Sequence, residues 1–133
     1  DLGLPSGTLW AKCNTGSQLP FHMAKNRFGL NLPSKVQAEE LYEKCKRSWD
    51  PRMKSVKFIG PSGNFILLPC KEKNESYWLR DYEDRWREHG QRFAIGQDNT
   101  FYINDREATS LSSIRLTKST TRNHIDKSEP TLF

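Results

Sequence analysis

The chain of 133 residues has no CxxC pair, and its three cysteines, Cys13, Cys45 and Cys70, are too few and too far apart for a disulfide framework. The same absence excludes a zinc ribbon, which needs thiolates in closely spaced pairs. One bridge remains open by count, with Cys13–Cys45 the first pairing to consider, but buried thiols are the expected state. No apolar run approaches the roughly 18 residues that cross a bilayer, so no membrane insertion is expected. Histidine is also scarce. His22, His89 and His124 fall in a loop, in a charged stretch and near the C-terminus, and none sits in motif-like surroundings beside a nucleophile and an orienting group. Asp1 opens directly on a motif, which reads as a trimmed or mature form, so the missing signal segment assigns no compartment.

The sequence is rich in charge and bulky aromatics. Apolar residues make up 35%, with four Trp, four Tyr and seven Phe to fill a core, and the length fits one domain. Net charge is +5, and its distribution is uneven. Residues 1–70 hold ten Lys/Arg against five Asp/Glu, whereas residues 71–133 hold eleven of each. The excess gathers around Lys44, Lys46, Arg47, Arg52, Lys54 and Lys57. A basic face of that kind could meet an anionic surface, but it lacks interleaved aromatics and reads as a solvated helix end and hairpin. The aromatic stretch 71–92 carries six basic and six acidic residues and so has no net attraction for phosphate. Nucleic acid is not an expected partner.

Along the chain, Pro5-Ser6-Gly7 is turn chemistry, and Thr8–Cys13 alternates as a short strand with Leu9 or Trp10 inward. Residues 19–33 read as a loop that tucks Phe21, Met23, Phe28, Leu30 and Leu32 beneath it. A helix is predicted from about Ser34 to Ser48, where Ser34 and Gln37 match a capping box. Ala38, Leu41, Tyr42, Cys45 and Trp49 supply its apolar stripe. Glu40–Lys44 and Glu43–Arg47 are favourable i,i+4 pairs, and Asp50-Pro51 ends the helix. Residues 55–69 form a β-hairpin across Gly60-Pro61-Ser62-Gly63-Asn64, with Phe65–Leu68 as a central, doubly covered strand. A second hairpin joins Arg92–Gly96 to Thr100–Asn104. Ser113–Lys118 reads as a final strand with Ile114 and Leu116 inward and Arg115 and Thr117 outward. Residues 1–118 are then one α+β module, and residues 119–133 a flexible tail.

Five blocks carry a resemblance. The opening DLGLPSGTLWAKCN (1–14), LPSKVQAEELYEKCKRSW (32–49), IGPSGNFILLP (59–69), Tyr77-Trp78, and Phe93 to Leu116 with Ser113-Ile114-Arg115 follow one another in order over about 115 residues. Together they resemble the Fibrobacter succinogenes major paralogous domain, a family common in Bacteroidetes. The resemblance implies a C-type-lectin-like fold, shared with formylglycine-generating enzymes and with the variable proteins of diversity-generating retroelements. This chain departs from the family in places: residues 15–33 are shorter, Leu79-Arg80 follow Tyr77-Trp78 where the family has two serines, and Asp81–Gln91 is unusually charged.

Calcium-dependent sugar binding in lectins of that fold uses Glu-Pro-Asn or Gln-Pro-Asp loops and a Trp-Asn-Asp strand, which concentrate the six to eight oxygens calcium needs. None of these occurs here. Asp81, Glu83 and Asp84 are interleaved with arginines and read as self-paired surface charge, so neither a metal site nor a cofactor is expected. Attention falls on Tyr77–Phe93, YWLRDYEDRWREHGQRF. Tyr, Trp and Arg dominate binding hot spots because each joins a large contact area to a polar handle. Tyr77 and Trp78 are expected in the core, while Tyr82, Arg85, Trp86, Arg87 and His89 are the candidate ligand-binding residues. The expected role is a non-catalytic recognition module for a protein or glycan ligand, at a cell surface, secreted or phage-borne. The alternative is an assembly domain of a larger surface structure; an enzyme or nucleic-acid binder is the weakest reading.

Overall fold

The computed structural model describes residues 1–81 and 89–119. In chain order these form β1 (Leu9–Trp10), α1 (Phe21–Phe28), a 3-10 turn (Gly29–Asn31), α2 (Lys35–Lys44), β2 (Lys46–Asp50), β3 (Ser55–Ile59), β4 (Phe65–Pro69), β5 (Asn74–Trp78), β6 (His89–Gly96), β7 (Phe101–Glu107) and β8 (Thr117–Lys118). The strands make three antiparallel sheets, β1-β8, β2-β3-β4 and β5-β6-β7. The α+β class read from the sequence holds.

Helix α2 begins where its capping box predicts. The Ser34 hydroxyl accepts from the Gln37 N–H at 3.1 Å, and Gln37 Oε1 accepts from the Ser34 N–H at 2.9 Å. It ends at Lys44, earlier than the predicted Ser48, because Cys45 turns extended and Lys46–Asp50 pairs with β3. Cys45, Arg47 and Trp49 lie two apart on a strand, so the apolar spacing that suggested a longer helix is satisfied by a period of two. The Glu43–Arg47 helical pair is lost with it. Instead the Arg47 guanidinium donates to the Tyr42 and Cys45 carbonyls and lies 4.0 Å above the Tyr42 ring, which satisfies carbonyls that α2 leaves open at its end.

Residues 19–33 are not a loop. Phe21 and Ala24 are buried on one face of α1, and the helix closes at Gly29, whose N–H reaches the Lys25 carbonyl at a φ of 48°. Two turns capped by Pro20, with no side-chain cap, leave little periodic signal. The hairpin at 55–69 forms in the predicted register, from Ser55↔Pro69 to Ile59↔Phe65. However, β4 is an edge of its sheet and β3 is the central strand. Phe65 is accordingly 50% exposed, and β4 alternates where double cover was expected.

The largest core gathers Leu2, Trp10, Leu41, Phe58, Leu68, Tyr77 and Phe93 among others, between α2 and the two three-stranded sheets. A smaller one joins Phe21, Ala24, Leu32, Trp78, Ala108 and Ile114. Neighbours on β5 therefore serve different cores, Tyr77 one and Trp78 the other, and both are fully buried as expected. A stacked aromatic series runs from Tyr42 through Phe101 and Phe93 to Tyr77, with ring centroids 4.4, 5.9 and 5.2 Å apart, tying α2 to the β5-β6-β7 sheet.

The last strand corrects the sequence reading most. Only Thr117–Lys118 pairs, with β1. Arg115 and Thr117, expected outward, are each 1% exposed, and Ile114 is buried as well. Residues 112–116 run between two layers, bonded on one side to residues 11–19 through Ala11, Thr15 and Leu19 and on the other to β5 through Ser76 and Trp78. With protein on both sides, inward and outward lose their meaning. Residues 120–133, read as most of a flexible tail, lie outside the described residues.

Candidate functional site

Of the five residues nominated from sequence, Tyr82, Arg85, Trp86 and Arg87 lie outside the described residues. His89 is half-buried at the start of β6, paired in register with Glu107. The structure does define the two feet between which that segment runs. Leu79 donates its N–H to the Gln91 carbonyl at 2.9 Å, closing the β5–β6 pair beyond Trp78↔Arg92. The Arg80 N–H bonds the Pro33 carbonyl at 2.8 Å, and its guanidinium bonds the Leu30 carbonyl at 2.7 Å. The Lys25 ammonium donates to the Arg80 carbonyl. Burial lowers the Lys25 pKa, with Asp81 opposing that shift and Arg80 adding to it. On the other foot Gly90 lies flat against the Phe21 ring: a Cβ there would stand 2.4 Å from Phe21 Cδ1. Phe21 in turn meets Trp78 edge-on at 5.3 Å, and the Trp78 indole donates to the Leu19 carbonyl at 2.6 Å. Thus α1 and the 3-10 turn, both read as loop, brace the base of the nominated segment.

A second arrangement was not read from the sequence. Arg115 is buried without a carboxylate partner among the described residues. It donates to Asn14 Oδ1 at 2.9 Å, the Ala11 carbonyl at 3.0 Å and the Leu67 carbonyl at 2.6 Å. Burial lowers its pKa, yet a guanidinium keeps its proton at any neutral pH. Tyr77 bonds the Pro69 carbonyl at 2.8 Å, and burial drives its phenol well above the usual range. Beside this cluster Glu75 Oε2 accepts from the Ser113 hydroxyl at 2.6 Å and from Gln18 Nε2 at 3.4 Å. Across the sheet Arg92 donates to the hydroxyls of Ser76 and Ser112 at 2.9 and 3.1 Å. Above Glu75 opens a cleft of about 610 Å³ between residues 14–18 and 69–76, with Ser113 among its lining residues. The only signal for it in the sequence was a run of small polar residues at 14–18 and 74–76, which reads equally as loop.

The basic residues around α2 are dispersed. Lys44, Lys46, Arg52 and Lys54 are exposed, Arg47 is turned onto Tyr42, and Lys57 lies 4.2 Å from the Phe65 ring. All three cysteines are free thiols, so the Cys13–Cys45 bridge does not form; Cys45 and Cys70 are buried as expected, but Cys13 is exposed. Among the described residues, no three His, Cys, Asp or Glu side chains come together as a metal site, and no helix is long and apolar enough to cross a membrane. No family model, curated protein or solved structure matches the chain.

Proposed function

We propose that this chain is a C-type-lectin-like recognition module, non-catalytic, that engages a protein or glycan ligand through Tyr82, Arg85, Trp86, Arg87 and His89, displayed at a cell surface or secreted. The observation that carries the reading is the clamped base of the β5–β6 connection. Backbone bonds from Leu79 and Arg80 on one foot, and the Gly90–Phe21 contact on the other, fix where the segment leaves and re-enters the sheet. A ligand surface mounted on such feet loses less conformational entropy on binding than one on free chain. The residue types between the feet are those of binding hot spots. The ordered motifs that resemble the major paralogous domain support the same fold and role.

The test replaces Trp86 and Tyr82 with alanine, singly, and measures thermal stability together with binding to arrayed oligosaccharides and purified surface proteins. Retained melting temperature with lost binding is the expected result. A fall in melting temperature like that of a core deletion, about 3 kcal/mol or more, would place both rings in the interior and remove the proposal.

A further inference from the structure

We infer that the cleft over Glu75 is a second ligand site, one that takes a neutral saccharide without any metal ion. At about 610 Å³ it falls within the range of small-molecule sites. Its lining is mostly polar: Asn14, Gln18, Asn74, Glu75, Ser76 and Ser113 contribute to it, with the Gln18 carboxamide and the Ser113 hydroxyl directly on the Glu75 carboxylate. No aromatic or branched aliphatic side chain lines it. An apolar ligand would meet little beyond Pro69 to bury against, whereas a sugar hydroxyl, both donor and acceptor, matches carboxamide and carboxylate groups in turn.

Part of this lining is already set. Ser113 and Gln18 hold Glu75 Oε2, and Ser113 itself is buried, with its backbone N–H on the Ser76 carbonyl at 3.0 Å. Glu75 Oε1 and the Asn74 carboxamide have no hydrogen-bond partner among the described residues, so both are available to a ligand. Asn14 in turn accepts from buried Arg115 at 2.9 Å. Charge narrows the class further. Glu72 and Glu75 against Lys71 leave the lining with one net negative charge, which disfavours sialylated or sulfated sugars. The cleft adjoins the first residues of β5, whereas the nominated binding segment follows its last along the chain.

Without a stacking surface the affinity for one sugar unit should be millimolar. The experiment titrates the ¹⁵N-labelled chain, in excess EDTA, with maltose, cellobiose and N,N′-diacetylchitobiose, and with 3′-sialyllactose as the anionic counterpart. At least one neutral disaccharide should shift the amide resonances of Asn14, Gln18, Asn74 and Ser113, and bind more tightly than 3′-sialyllactose. Glu75→Gln should weaken that binding about tenfold, the loss of one charge-assisted bond. Gln18→Ala, at an exposed position outside the core, should also weaken it and carries the test if the Glu75 variant misfolds. Trp86→Ala should leave it unchanged, which separates this site from the proposed recognition surface. Absence of any shift at these residues, binding retained at wild-type strength in both cleft variants, or a response that EDTA abolishes would overturn the inference.

Discussion

The α-carbon of Gly90 lies so close to the Phe21 ring that a methyl group added to it would fall 2.4 Å from Cδ1 and 2.5 Å from Cγ. Phe21 is fully buried and packed edge-on to Trp78, so it has no room to retreat. Gly90→Ala should therefore lower stability by about 1–3 kcal/mol, the cost of overpacking a filled core, read as a drop in melting temperature. Phe21→Leu should relieve the clash, so the double variant should be less destabilised than the sum of the two single changes. Strict additivity would show that the two residues do not press on each other.

Arg115 joins three separate segments through neutral acceptors. Arg115→Met keeps much of the volume but takes the donor away from Asn14 Oδ1 and from the half-buried carbonyls of Ala11 and Leu67. A loss of about 2–4 kcal/mol in chemical denaturation is expected. Arg115→Lys should recover only part of it, because one ammonium cannot match the guanidinium fork at three sites.

The capping box of α2 also reaches another element, since Gln37 Oε1 accepts from the Thr117 hydroxyl at 3.1 Å. Ser34→Ala should cost about 1 kcal/mol. Gln37→Ala should cost more than Ser34→Ala, because it releases β8 as well as the Ser34 N–H; equal losses would show that the Thr117 contact contributes nothing.

Thiol chemistry should separate the cysteines. Cys13 is exposed and should react at once with a disulfide reagent, while Cys45 and Cys70 should react only on unfolding. Burial pushes the Cys45 thiol up to about 11 from 9.0, with Glu40 adding to the shift and Arg47 opposing it. Burial likewise raises Cys70, with Glu75 and Asp98 adding to the shift. A pKa raised in the folded state stabilises the fold below the unfolded value and ceases to do so as pH climbs through the folded one. Stability should accordingly fall between about pH 9 and pH 11, and Cys45→Ala should flatten that decline. An unchanged slope in the variant would show that Cys45 does not titrate in this window.

Local chemistry was legible wherever a short motif decides geometry. Ser34 and Gln37 announced the start of α2, Gly60–Asn64 the first hairpin turn, and Gln97-Asp98-Asn99 the second. Tyr77 and Trp78 were expected in the core, and both are fully buried there. Reading failed where two periods fit the same residues. Cys45 and Trp49 are four apart, which suits a helix turn or two steps along a strand, and only the partner β3 resolves it. The Glu75 cleft had no signature, because its residues come from 14–18, 69–76 and 113 and each alone resembles a loop.

By itself the sequence determined the α+β class, where the best-capped helix starts, both hairpins and the supply of core aromatics, because each depends on residues adjacent along the chain. Tertiary structure alone decided that residues 112–116 are covered on both sides, that Arg115 lies inside, that α1 braces the feet of the β5–β6 connection, and that a polar cleft opens over Glu75. Each of those depends on what a segment packs against. Burial is a property of the pair of surfaces that meet, and a single strand of sequence carries only one of them.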